Sequence, residues 1–385
     1  MRTVVVGGAV ANKYRNGGEA WVRLSWIRGL QRLGWRVYFV EQISPGACVA
    51  ADGSPAPFER SATRAYFDRV MEQFDLVGSS ALVLGEGEAT SGLSYQNVLE
   101  LAGDAELLVN VSGHLHDREL MRRVRRRAYI DLDPGFTQFW HVQGNTGARL
   151  EGHDVYFTVG ENIGTSASTI PTCGIDWRPL PPPVVLADWP AADPAPGAFT
   201  TVGAWRGAFG PVVDEGRTYG LKVHEFRKVI ELPRRVPDAQ FEIALEIHPG
   251  DAKDREALLA NGWRLTDPRV EVPGPLEFRR YVQRSGAEFS VAQGIYVDTA
   301  SGWFSDRTVR YLASGKPALV QETGFDRNYP VGEGLLSFRT LDEAAEGAER
   351  IRSDYERHSR AARALAEERF DSDKVLTRFL EEALG

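Results

Sequence analysis

Three short stretches of this 385-residue chain set cationic, hydroxyl or glycine residues where an apolar strand gives way to a helix. In residues 203–222, GAWRGAFGPVVDEGRTYGLK, Arg206 and Lys222 follow the apolar segment FTTV, with Trp205 alongside. In residues 298–315, DTASGWFSDRTVRYLASG, Trp303 precedes Ser305 and Asp306, either of which can cap a helix that begins with Arg307. The free N–H groups and dipole of a helix start attract an anion. An Arg fork and a Lys point charge complete a site that neutralises a diphosphate. The third stretch, residues 7–18 (GGAVANKYRNGG), ends in Gly17 and Gly18, which would let a ligand approach the backbone. Its glycines lack the G-x-G-x-x-G spacing of a dinucleotide loop and no acid follows at the expected distance, which argues against a nicotinamide oxidoreductase.

A second kind of chemistry sits in the N-terminal half. His114 and His116 in SGHLHD, and Asp131 and Asp133 in IDLDPG, each follow an apolar strand. At the carboxyl end of a strand, an imidazole or carboxylate is placed to take a proton from a hydroxyl. Asp133 is the first choice, because Pro134 and Gly135 hold it in a turn, and His114 is the second. His141 and Glu161 are selected by loop position alone.

The elements that carry these loops alternate. Residues 3–8 read as a strand and residues 18–33 as a helix with Trp21, Leu24, Ile27, Leu30 and Leu33 on one face. Gly34 stops that helix before a strand at 36–40. Further strands are expected at 80–84, 107–111, 127–132 and 154–159. A proline-rich stretch at 177–199 breaks the pattern. A second series follows, with elements at 199–203, 221–232, 240–247, 269–272, 287–291, 306–314, 317–321 and 341–352. From Asp354 to Leu384 the chain reads as one or two amphipathic helices. The fold class is therefore α/β, with two tandem Rossmann-like, doubly wound domains facing a central cleft. The domains are expected at residues 1–180 and 200–365, with a linker at 181–199 and, at 366–385, a helix expected to return to the first domain.

Bulk properties narrow the function. A net charge of −8 argues against a nucleic-acid partner, although Arg118, Arg122, Arg123, Arg125, Arg126 and Arg127 crowd one stretch that reads as a solvated helix face. Two cysteines, Cys48 and Cys173, provide neither a disulfide framework nor a metal cluster. With no export signal and no membrane-length apolar run, a cytoplasmic protein needing neither metal nor cofactor is expected.

Residues 301–325, SGWFSDRTVRYLASGKPALVQETGF, resemble the donor-binding stretch of GT-B glycosyltransferases, especially the bacterial group 1 type with its S-x-R-x-x-x-x-L-A-x-G signature. Residues 330–349 are similar to its continuation, a glycine-rich turn leading to a strand and a capped helix, and the likeness spans most of residues 200–380. In the N-terminal half, NGGEAW and YIDLDPGFTQ look similar to members of the same superfamily. The resemblance implies a nucleotide diphosphate sugar, such as a UDP-sugar, as co-substrate. Arg206 and Lys222 would then meet the diphosphate. Ser305, the N–H groups from Asp306 onward and Arg307 would hold phosphate oxygens, and Glu322 would reach a sugar or ribose hydroxyl. Gly18, Trp205 and Trp303 belong to the same donor-side set. The chain departs from the group 1 pattern where two glutamates are expected, carrying Gly302 and Arg310. The implied activity is sugar transfer to a small-molecule, glycan or lipid-linked acceptor. A nucleotide-sugar epimerase or hydrolase, or a non-catalytic nucleotide-binding protein, are the alternatives on the same scaffold.

Overall fold

The computed structural model describes residues 2–207 and 209–385. In its first half lie β1 (Thr3–Gly7), β2 (Arg36–Ile43), β3 (Ser80–Leu84), β4 (Ala89–Gly92), β5 (Leu107–Val111), β6 (Arg127–Asp131), β7 (Val155–Thr158) and β8 (Trp177–Pro179). They form one sheet in the order β4-β3-β2-β1-β5-β6-β7-β8, parallel except for the β3–β4 pair. The second half contains β9 (Phe199–Ala204), β10 (Val212–Asp214), β11 (Arg217–Tyr219), β12 (Phe241–Glu246), β13 (Arg264–Thr266), β14 (Ala287–Ser290), β15 (Ala318–Gln321) and β16 (Leu335–Phe338). Six of these make a parallel sheet, β13-β12-β9-β14-β15-β16, while β10 and β11 form a separate antiparallel ribbon. Helices cover both faces of each sheet, which is why β1 and β5 are buried along their whole length and apolar almost throughout.

Each strand order reverses once, between β1 and β5 in the first sheet and between β9 and β14 in the second. At such a point the loops leaving adjacent strands diverge to opposite faces and leave a crevice. The loops after β1, β5, β9 and β14 therefore carry the groups most able to reach a ligand.

Local chemistry explains most boundaries. The helix Gly17–Arg32 starts where Asn16 Oδ1 accepts the Glu19 N–H, and it buries Trp21, Leu24, Ile27 and Leu30. Gly34 follows in the left-handed region at φ 81°, so the helix stops. Three short elements differ from expectation. Residues Pro268–Glu271, overlapping the element expected at 269–272, make a helical turn capped by Asp267, and the strand lies earlier at Arg264–Thr266. The helix expected over 221–232 ends at Lys228 and a separate turn runs Leu232–Arg235. The proline-rich stretch opens with β8, which is possible because β8 is an edge strand and Pro179 its last residue.

The halves meet along the helix Gly17–Arg32. Gly17 N–H donates to Val272 O at 3.3 Å, and Trp21 Nε1 donates to Pro275 O at 2.7 Å. Trp21 also stacks edge-on against the fully buried Trp189 at 4.9 Å. The last helix, Ser372–Leu384, returns to the first half: Phe379 packs on Trp26 at 4.9 Å and on Phe157 at 4.8 Å, and Arg32 grips Asp373 with two bonds of 2.9 and 2.7 Å.

A Cβ at position 17 would overlap the Gly274 carbonyl. Alanine is the better helix former by about 1 kcal/mol, yet Gly17→Ala is expected to destabilise the protein by about 1–3 kcal/mol through overpacking. Urea unfolding checks this, and Gly103→Ala, where a Cβ meets open space, is the control that should not destabilise.

Candidate functional site

On the C-terminal wall, Lys222 is the first residue of the helix Lys222–Lys228, and its N–H donates to Gln293 Oε1 at 2.7 Å. The side chain turns back toward the end of β9, so that Nζ lies 3.5 Å from where a Cβ on Gly203 would sit. Among the described residues Nζ has no hydrogen-bond or ion-pair partner. Burial, and then the neighbouring Arg307, hold the ammonium pKa down at about 8. A half-buried cation with no anion of its own is poised for an external one.

Arg307, whose field reaches Lys222, is the second residue of the helix Asp306–Ala313. Ser305 Oγ accepts the Arg307 N–H at 3.2 Å, while the N–H groups of Ser305 and Asp306 have no backbone acceptor. A small pocket lies here, lined by Ser290, Ala292, Trp303, Ser305, Thr308 and Gln321 among others. Trp303 stacks on Tyr296 at 4.7 Å. Arg307 does not face this space. Its Nε donates to Glu288 at 2.7 Å, one Nη to Val202 O at 2.9 Å and the other to Ser290 Oγ, so it contributes field to the site rather than free donors. Asp306 is held by Arg310, the position where a group 1 enzyme has its second glutamate.

The other residues expected on the donor side make contacts of their own within the protein. Arg206, 51% exposed, is engaged by Asp251 through Nε at 2.9 Å and belongs to a surface cluster with Asp254 and Arg227. Trp205 is a core residue, 1% exposed, packed on Phe226 and bonded to Asp254 at 2.8 Å. Gly18 backs onto the Phe278 ring. Glu322 closes its own turn by accepting the Gly324 N–H at 2.6 Å, leaving Oε2 buried without a partner.

On the N-terminal wall, Asp131 and Asp133 have opposite environments. Asp131, fully buried at the end of β6, accepts Thr137 Oγ1 (2.7 Å), Gln138 Nε2 (2.9 Å), Thr158 Oγ1 (2.8 Å) and the Asp133 N–H (3.1 Å). With all its acceptor positions used, it has none left for chemistry and instead braces the turn that presents Asp133. Asp133 keeps one protein partner, the hydroxyl of Tyr296 from the opposite half at 3.2 Å. Burial and the nearby Asp131 and Glu19 carboxylates raise its pKa to about 6. His114, by contrast, is held neutral: burial, Arg23 and Lys13 push its pKa down to about 3. His116 and His141 are exposed, and Glu161 is bonded to Tyr329.

Several residues of the cleft have no sequence signature. Glu41, buried in β2, accepts the N–H groups of Val10, Ala11 and Asn12 at 2.7 Å each and so shapes the loop after β1. Asn162 clasps the two halves: its side chain donates to Ala300 O (2.9 Å) and Gly324 O (3.0 Å), and its N–H donates to Ser301 O (3.1 Å). Only the bare position of Tyr296, Lys13, Glu19 and Arg23 in the turns and helices after strands could have pointed to them.

No protein-family model and no curated protein matches the chain by sequence. Solved structures do match by shape. An alpha-glucosyltransferase in complex with UDP and a 13-mer DNA containing a central A:G mismatch superposes with a TM-score of 0.62 at 12% identity, over 100% of both chains. The fold is GT-B. AviGT4, a glycosyltransferase involved in avilamycin A biosynthesis, gives 0.55 at 13% identity over 100% of this chain and 97% of its own. Sucrose-phosphate synthase from Thermosynechococcus elongatus gives 0.54 at 11% identity over 99% and 98%. The expectation that a net charge of −8 excludes a nucleic-acid partner is corrected by the first of these, a GT-B protein holding DNA. Net charge sums over the whole surface, whereas phosphate contacts are local. Among the described residues no group of three or more His, Cys, Asp or Glu is placed to hold a metal, and no helix is long and apolar enough to cross a membrane.

The two aspartates are expected to separate in unfolding experiments. Asp131→Asn turns an amide NH₂ toward groups that are themselves donors and should cost about 2 kcal/mol or more. Asp133 holds its proton to about pH 6 when folded, against 3.8 as its ordinary value, so its ionisation destabilises the fold as pH rises from about 4 to 6. Asp133→Asn should therefore raise stability at pH 7, and urea midpoints for the two variants at pH 5 and pH 7 check both signs.

Proposed function

We propose that this GT-B chain is a glycosyltransferase that moves a sugar from a nucleoside diphosphate sugar to an acceptor hydroxyl. The observation that carries the reading is Lys222: an ammonium with no anion of its own, at the strand-order reversal of the second sheet and beside a helix start. Its charge and the free N–H groups of Ser305 and Asp306 would receive the diphosphate, with Arg307 as a positioning residue behind them. Such groups are most useful when negative charge grows on the leaving group. As the bond from the anomeric carbon to the diphosphate breaks, that charge would develop on the phosphate oxygens facing Lys222. The acceptor oxygen would bond to the same carbon, and its proton would pass to Asp133. A carboxylate with a pKa of about 6 is ionised at neutral pH and basic enough to take that proton as it is released. The Tyr296 hydroxyl, reaching Asp133 from the opposite half, would orient the base only when both walls are in place.

Because the superposed alpha-glucosyltransferase is in complex with UDP, UDP is the first probe. Lys222→Met is expected to weaken UDP binding by about 1–3 kcal/mol in calorimetry at pH 7. In the unsubstituted protein UDP affinity should fall as pH rises through about 8, where free Lys222 loses its charge. Undiminished affinity in the variant would remove Lys222 from the site.

In steady-state assays with UDP-sugars and a panel that includes nucleic-acid acceptors, kcat/KM should rise through about pH 6 as Asp133 ionises. Asp133→Asn should lower kcat while leaving UDP affinity unchanged. Release of an isomerised sugar in place of transfer would identify an epimerase.

A further inference from the structure

Arg23 is 1% exposed, yet only one of its three guanidinium nitrogens is used. Nη1 donates to the Glu19 backbone carbonyl at 3.2 Å and to the Glu19 carboxylate. Nε is buried with no partner, and no protein acceptor meets Nη2 among the described residues. Arg307 by contrast uses all three nitrogens, while Arg310, also 1% exposed, shares the pattern of Arg23, with Nη1 on Asp306 and Nε buried without a partner. An under-satisfied buried guanidinium is costly to keep, and an anion is the ligand that offsets the cost.

Other unpartnered cations surround it. Lys13, from the turn after β1, makes no ion pair or side-chain hydrogen bond among the described residues. Arg149, exposed and in the left-handed region at φ 49°, has one long bond to the Gly113 carbonyl at 3.3 Å. His114 lies within electrostatic reach of Arg23, Lys13, Glu19 and Arg149 together, and Asp133 within reach of Glu19 and Lys13. Three cations thus surround His114, and one of them, Arg23, is bonded to Glu19. Lys13 lies in the turn after β1, Arg23 in the helix Gly17–Arg32 and Arg149 between β6 and β7, all in the half opposite Lys222.

We propose that this corner is the acceptor subsite and that it binds an acceptor through a phosphate monoester, with Arg23, Lys13 and Arg149 on the phosphate oxygens. The inference rests on the glycosyltransferase reading for the word acceptor, but not for the anion site itself. A terminal phosphate can reach a guanidinium this deeply set, whereas a phosphodiester carries chain on both sides. It fits a small acceptor with a terminal phosphate, a nucleic-acid strand being the other outcome of the test.

Calorimetric titration of the full chain with inorganic phosphate, with and without saturating UDP, tests this directly. Binding of phosphate in both conditions is expected, weakened about tenfold or more by Lys13→Ala and by Arg149→Ala, two surface-accessible changes that leave UDP affinity within about twofold. Lys222→Met should do the reverse, weakening UDP and sparing phosphate. Absence of phosphate binding, or binding unaltered in both Lys13→Ala and Arg149→Ala, overturns the inference. A short single-stranded oligonucleotide that displaces phosphate at a lower phosphate-equivalent concentration overturns the small-acceptor assignment in favour of a strand. Failure of UDP to bind is read in its own titration and counts against the donor reading alone.

Discussion

The Gly274 carbonyl oxygen occupies the space where a Cβ on residue 17 would have to be, and the two halves of the molecule take their relative position from that approach. The contact fixes the start of the helix Gly17–Arg32, whose first turns carry Glu19 and Arg23 on one side and Trp21 on the other. Trp21 carries the constraint inward to Trp189 and Pro275, and Asn162 secures the far side through Ala300, Ser301 and Gly324. With the halves held at both places, Tyr296 reaches Asp133 across the gap. A cleft with chemically different walls follows from this docking, because neither sheet by itself holds a complete site.

The cleft stores electrostatic work. A lysine ammonium held at about 8, a carboxyl held up at about 6 and a buried guanidinium with idle donors each make the empty fold less stable than a satisfied one would be. Adjacent groups do the opposite: Asp131 accepts four donors and Glu41 three backbone N–H groups, so the turns beside Asp133 and after β1 are tied down by hydrogen bonds. Firm bracing under strained charges is the pattern expected where binding or proton transfer repays the cost.

The strands β1, β3 and β5 were legible because buried strands read as short apolar runs, and the loops after strands could be located from them. Lys222 and Asp133 could be selected by that rule alone. Arg307 shows its limit: its position at a helix start is visible in sequence, but its pairing with Glu288 across 19 residues turns the side chain inward. Arg206 was drawn away by Asp251, 45 residues on, and Trp205 by the core. The cluster of Lys13, Arg23 and Arg149 has no motif because it is assembled from three separate segments. The composition argument against nucleic acid failed for a related reason, since a sum over all charges contains no information about where they lie.

A crystal structure with UDP bound tests the central claim most directly. The account predicts density for the diphosphate between Lys222 Nζ and the N–H groups of Ser305 and Asp306, within hydrogen-bond distance of both. A diphosphate seated elsewhere on the surface, with Lys222 still unpartnered, would contradict it.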